Sequence, residues 1–221
     1  MSKRILVAAF GVLMNSKEMK RHEIDAYGVA KGVIERHDLE FRGLPSKPQG
    51  QPTIIEKPHY IGSRYQVPVL IWSIPEENED MLDEVESYNI GKFIKKHLPV
   101  RIDALTAEGV MDGVPSDEVT ALVYIPDGDR ISKQLTLPDI NLMFSAYQEH
   151  GIDTAILVIA AIAARTAYEE REFEAYEKIK ECLQSTKLDG ENPEIVSHIL
   201  ITKRLLGIDT AKFPFGKGDE N

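Results

Sequence analysis

Between Glu76 and Glu86 the chain carries seven carboxylates in eleven residues. Charge runs of this kind are ordinarily the solvated face of a helix. Glu86 is placed differently. Leu82 and Val85 mark the buried stripe of the helix, and Glu86 follows Leu82 by four residues, on the margin of that stripe. A carboxylate there is partly desolvated. Desolvation raises its pKa and suits it to proton transfer near neutral pH. Glu79 lies on the same margin, so spacing alone does not choose between the two. A second candidate is the turn Phe10-Gly11-Val12-Leu13-Met14-Asn15. Glycine permits a tight exit from a buried strand, and backbone N–H groups in such a turn can face an anion. By itself, the segment reads equally well as a plain turn.

The other reactive residue types form no constellation. His22 stands beside Glu23 and His37 beside Asp38, while His59, His97, His150 and His198 are isolated. None makes a ligand pair at helical spacing, and all read as surface or loop histidines. Cys182 falls on a helical stripe with Ile179 and Leu183 and reads as a small core residue. No Gly-x-Ser-x-Gly elbow, phosphate loop or dinucleotide fingerprint occurs.

These residues need elements to hold them. Ile5 to Phe10 reads as a buried strand, and Asn15-Ser16-Lys17-Glu18 as a helix start. Tyr27–Ala30 and Leu39–Arg42 are strand-like. Leu44–Pro58 carries four prolines and reads as a long loop. Tyr65–Ile74 is the strongest strand signal, and Pro68 within it predicts an edge or a bulge. Pro75 opens a helix to about Ser87. Phe93–Ile102 and Thr120–Ile125 are further strands, with turns at Asp112-Gly113 and Asp127-Gly128. After Leu137-Pro138 the pattern becomes helical: Asp139–His150, then Ala155–Gln184 with Phe173, Tyr176, Ile179 and Leu183 on one stripe. A break at Asp189–Pro193 and a helix over Glu194–Leu206 follow. Strands mixed with short helices, followed by helices, read as α+β with a helical extension.

Composition limits the function. The 221 residues are 43% hydrophobic and 28% charged, enough for a full core. The net charge of −10 disfavours nucleic acid, since no basic patch offsets it. One cysteine excludes an intramolecular disulfide and multi-cysteine zinc sites, and fits a reduced, cytoplasmic setting. The apolar start reads as a strand rather than an export signal. The longest apolar run, Ala155–Ala164, is far short of the roughly 20 residues that cross a bilayer, so a soluble protein without a membrane partner is expected.

In order and spacing these pieces resemble the γ-glutamylcyclotransferase-like family, which includes the AIG2-like proteins. That family has a strand running into a Tyr-Gly-Ser-Asn or Tyr-Gly-Thr-Leu loop, matched here by Phe10-Gly11-Val12-Leu13. A Trp-bearing strand follows, matched by Val67–Trp72. The helix ends in Leu-Asp-x-x-Glu-Gly, matched by Leu82-Asp83-Glu84-Val85-Glu86-Ser87. Gly91 and Phe93 hold the spacing of a glycine and an aromatic after the glutamate. Ala121–Ile125 and Glu149–Ile152 complete the series. The resemblance spans about residues 4–152. It implies a small mixed β-barrel over 1–152 with a helical extension over 153–221 packed on it. It also implies Glu86 as general acid/base, with Phe10, Gly11, Val12, Leu13, Phe93 and Tyr124 around the substrate and no metal or cofactor. The implied reaction cyclises a γ-glutamyl amine or peptide to 5-oxoproline. Phe10, Val12, Ser87, Phe93 and Asp139 stand where the family has tyrosine, Ser or Thr, glycine, tyrosine and tyrosine. Those losses of polar contact keep a second reading open, a binding protein that retains the cavity without turnover. Ile156, Ile159 and Ile162, or the Phe173–Leu183 stripe, could alternatively serve self-association into a homo-oligomer.

Overall fold

The computed structural model describes residues 3–59, 65–87, 89 and 92–185, with side chains to residue 171 and at 174. The Phe173–Leu183 stripe, Cys182, Gly91 and the helix expected over Glu194–Leu206 lie outside the described side chains or residues. The chain divides into two units, Met1–Tyr168 and Glu169–Asn221. The second begins inside a helix that runs Ala155–Ser185. Everything below concerns the first.

Five strands close a barrel in the order β1-β5-β2-β6-β7: β1 Arg4–Ala9, β2 Tyr27–Glu35, β5 Gln66–Pro75, β6 Phe93–Leu105 and β7 Glu118–Pro126. Four of the five seams are antiparallel. The closing seam, β1 on β7, is parallel and joins Val7 to Leu122. Val7, Val29, Val67, Val69, Ile71, Val100, Ala121 and Val123 of these strands are buried. Fold class is thus α+β, as the sequence pattern predicts. A second sheet, β4-β3-β8, contains β3 His37–Gly43, β4 Gln51–Glu56 and β8 Ile131–Ser132.

One expectation needs correction, and one holds only locally. Leu44–Pro58 is not simply a loop, because Gln51–Glu56 pairs in full register with β3. Its prolines disguise it; Pro52 is tolerated because β4 is the outer strand of its sheet. Pro68 lies in a strand that is central in the barrel rather than at an edge. It survives there because β1 reaches only Leu70, so β5 at Pro68 is paired on the β2 side alone. The edge that proline needs is local.

Short helices α1 Ser16–Arg21, α2 Glu79–Val85 and α3 Ala107–Met111 decorate the barrel. Thr106, the N-cap of α3, donates its hydroxyl to the carbonyls of Gly28 and Val29, where β2 slips register by one residue. A Cβ on Gly109 would lie 2.0 Å from the Val29 oxygen, so only glycine admits this docking. Helix α4, Leu137–Glu149, starts with Thr136 as N-cap and Pro138 in its first turn, and ends before Gly151 at φ +61°. The helix α5, Ala155–Ser185, buries Leu157, Ala160 and Ala164 in the core of the first unit. Ile159 and Ile162 stay exposed. No helix among the described residues is long and apolar enough to cross a membrane.

Tyr147 of α4 is fully buried, and its hydroxyl has no hydrogen-bond partner among the described residues. Burial alone pushes its pKa up. An unsatisfied buried hydroxyl costs about 1–3 kcal/mol. Tyr147→Phe is therefore expected to stabilise the protein by about 1 kcal/mol in thermal or denaturant melts. A loss of stability would show that the hydroxyl is satisfied.

Candidate functional site

The end of β1, the end of β7 and the start of β6 lie at one mouth of the barrel, because β1 and β7 run parallel and β6 meets β7 antiparallel, Phe93 opposite Pro126. A cavity of about 460 Å³ opens there. That volume suits a small organic ligand. All seven residues singled out from the sequence line it: Phe10, Gly11, Val12, Leu13, Glu86, Phe93 and Tyr124. Trp72, His22, Asp139, the Gly50–Pro52 segment and the charged Glu18 and Arg21 also line it.

Glu86 is the C-cap of α2; its N–H donates to the Leu82 carbonyl at 2.9 Å. Ser87 follows at φ +57°, the left-handed region that closes helices and favours glycine. The backbone thus has the glycine geometry with a serine in place. As a residue Glu86 is only partly buried, since it faces the cavity, yet protein surrounds its carboxyl closely. No described residue hydrogen-bonds or ion-pairs with that carboxyl. Desolvation alone pushes its pKa from the ordinary 4.5 to about 7.

Glu79, the other marginal acid, is taken out of contention by Lys95, whose Nζ lies 2.5 Å from Glu79 Oε1. The same ammonium lies 2.7 Å from Asp83 Oδ1 and 2.8 Å from Oδ2. Tyr124 donates its phenol proton to Asp83 Oδ1 at 2.5 Å. Lys95 and Tyr124 are directly opposed on β6 and β7 and so project from the same face. Burial disfavours the Lys95 charge, but the hydrogen bonds and charges of Asp83 and Glu79 outweigh it and raise the pKa. The Tyr124 pKa is raised strongly, first by burial, then by Asp83. Asp83 and Lys95 are not evident from sequence as a unit. Only the Leu-Asp-x-x-Glu spacing hints at Asp83.

The turn Val12–Met14 contributes Val12 and Leu13 to the same cavity as Glu86. Met14 N–H donates to Gly11 O and Asn15 N–H to Val12 O, but no backbone carbonyl among the described residues accepts from Gly11, Val12 or Leu13. These three successive residues line the cavity with amides that serve no described backbone carbonyl. The turn is fixed from behind. Trp72 donates its indole N–H to Leu13 O at 3.0 Å, and His150 Nε2 lies 3.0 Å from Met14 O. A carbonyl only accepts, so that ring nitrogen carries the proton. The two rings meet edge to face at 6.5 Å. Asn15, 2% exposed, accepts from Lys17 N–H and caps α1. His22 and His150 sit in turns at intermediate exposure, as loop histidines would; beyond that expectation, His22 lines the cavity and His150 braces the turn. The isolation of His150 in sequence hides a contact that spans 136 residues. Asp139 also lines the wall, with Oδ2 accepting from Thr136 Oγ1 at 2.7 Å. Among the described residues, no group of three or more His, Cys, Asp or Glu is placed to hold a metal ion.

This barrel is the γ-glutamyl cyclotransferase-like fold. A solved γ-glutamyl cyclotransferase superposes with a TM-score of 0.56 at 15% identity, over 90% of this chain and 99% of its own. An uncharacterised protein from Homo sapiens gives 0.56 at 15% identity, over 89% and 98%. YkqA from Bacillus subtilis gives 0.52 at 10% identity over 66% of this chain, which spans about half (49%) of YkqA. In sequence, no family model and no curated protein matches the chain.

Two measurements check the local reading. Ser87→Gly is expected to raise stability by about 1 kcal/mol, because glycine adopts positive φ without strain; unchanged stability would show that the serine carries no penalty. Glu86 sets a pH slope. Folded Glu86 keeps its proton to about pH 7, whereas the unfolded chain loses it near 4.5. The fold is therefore destabilised as pH rises through that window, by up to about 3 kcal/mol above pH 7. Urea melts at pH 5 and pH 8 should show Glu86→Gln gaining stability over wild type at the higher pH only.

Proposed function

We propose that the chain is a γ-glutamylcyclotransferase-like enzyme that cyclises a γ-glutamyl amine or peptide to 5-oxoproline and releases the amine. The observation that supports this reading is Glu86: a carboxyl with no hydrogen-bond or ion-pair partner among the described residues, its pKa raised to about 7, lining the same cavity as Gly11, Val12 and Leu13, whose amides serve no described backbone acceptor. The amides of Gly11, Val12 and Leu13 hold the α-carboxylate or the γ-carbonyl oxygen of the substrate. Phe10, Phe93 and Trp72 supply apolar wall. Glu86 accepts a proton from the α-ammonium. The freed amine attacks the γ-carbonyl of the same molecule, and the new C–N bond closes the five-membered ring. The old C–N bond breaks as Glu86 returns its proton to the departing amine, which also takes up the second proton shed by the ring nitrogen and leaves as an ammonium. Nothing is consumed besides the substrate, so no redox partner and no water enter the balance.

A base and acid acting in turn works best with a pKa near the operating pH, and such help contributes roughly 10² to 10⁴ in rate. The remainder comes from folding the substrate into its reactive conformation and from the fixed donors. The substitutions at positions 10, 12 and 93 remove side-chain polar groups but leave the backbone donors intact.

The test offers purified protein a panel of γ-glutamyl amides and measures 5-oxoproline. Turnover is expected, with kcat/KM rising as Glu86 ionises near pH 7 and falling by roughly 10² or more in Glu86→Gln. No turnover by either protein, with saturable binding of a ligand in the cavity, would replace the enzyme reading with that of a binding protein.

A further inference from the structure

We propose that Asp139 is a specificity-determining residue for the leaving amine: at the rim of the cavity it selects γ-glutamyl amides whose amine carries a second positive charge, as an aliphatic diamine does. This rests on the γ-glutamyl reading above and concerns the half of the substrate which that reading leaves open.

Burial orders the cavity from floor to rim. Trp72, Leu82 and Phe93 are buried, whereas Glu18, His22 and Asp139 are half-buried and Arg21 is exposed. A glutamyl group that reaches Glu86 and the turn amides takes the buried part, so its amine substituent extends to the charged rim. Asp139 stands where the resembling family has tyrosine, so an acid here is a feature of this chain. It lies in the first turn of α4. Its N–H donates to Thr136 Oγ1 at 3.2 Å, and its Oδ2 accepts from the same hydroxyl at 2.7 Å. Helix capping thus occupies one carboxylate oxygen, and the other has no partner among the described residues. The remaining rim charges offset each other. Arg21 Nε lies 3.4 Å from Glu18 Oε2, on a side chain only 12% exposed. Among the described residues, Asp139 is then the unbalanced charge of the rim. It attracts a cationic substituent and repels an anionic one. The positive end of α4 offsets part of that charge, so the discrimination is modest. Pro138 and Leu142 of the same helix also line the cavity and offer apolar surface to the methylenes between the two nitrogens of a diamine.

The experiment compares by calorimetry the γ-glutamyl amides of 1,4-diaminobutane, n-pentylamine and 4-aminobutanoate, which are equal in length and differ in the charge at the far end. All proteins carry Glu86→Gln so that nothing turns over. The titrations are run at pH 8, above the ordinary histidine range. The diamine derivative is expected to bind about threefold to fivefold tighter than the neutral one, as for a partly exposed ion pair, and the anionic one to bind weakest. Salt at about 0.5 M should erase the difference. Asp139→Asn, which keeps an oxygen for Thr136, should bring the cationic and neutral ligands within about 1.5-fold. Equal affinities, preference for the anion, or a preference that survives Asp139→Asn or salt would each overturn the proposal; if the variant does not fold, the ligand order and its salt dependence decide. Failure of all three ligands to bind would sink this proposal together with the γ-glutamyl reading. Charge selectivity without 5-oxoproline formation by the Glu86 protein would sink only the cyclisation. Turnover by the Glu86 protein without charge selectivity would sink only this assignment.

Discussion

The site depends on one buried carboxylate, Asp83, held between a phenol and an ammonium. Helix α2 is under two turns long and has no side-chain cap at its N-terminus, so it cannot fix its own position. The barrel fixes it. Lys95 and Tyr124, opposed across the β6–β7 seam, both close on Asp83. Burying a carboxylate is costly unless it is paired and fully hydrogen-bonded, and here it is. The clamp decides where the last turn of α2 ends, and hence where Glu86 stands.

Asp83 and Glu86 are three residues apart and chemically alike, yet their surroundings part them. Asp83 is buried against a cation and a phenol. Glu86 meets only the cavity and surrounding protein, so desolvation acts on it unopposed and its pKa moves to about 7. One carboxylate anchors the helix and the other is left able to exchange a proton. Their division of labour arises from the single strand pair beneath them.

The cavity wall shows how the backbone can keep a geometry while side chains vary. Ser87 holds the positive φ of a glycine. The Val12–Met14 turn keeps its amides at the cavity although Phe10 and Val12 offer no hydroxyl. Its shape is set by Trp72 and His150 on its carbonyls, not by the identity of the turn residues.

The sequence by itself determined the strands and helices whose hydrophobic periods are long and uninterrupted, such as β1, β5 and α4, because apolar burial is written locally. It also placed Glu86 at the border of a buried stripe, through the four-residue spacing from Leu82. It did not separate Glu86 from Glu79, because both spacings are equivalent on an isolated helix. Only the tertiary structure did so, by bringing Lys95 to Glu79 and leaving Glu86 without a charge partner among the described residues. Strand β4 was hidden by its prolines, which are acceptable only at an outer position that pairing defines. The roles of Trp72, His150, Asp83 and Tyr124 were equally hidden. Each rests on a hydrogen bond to a residue between 41 and 136 positions away, and no local pattern encodes such a partner.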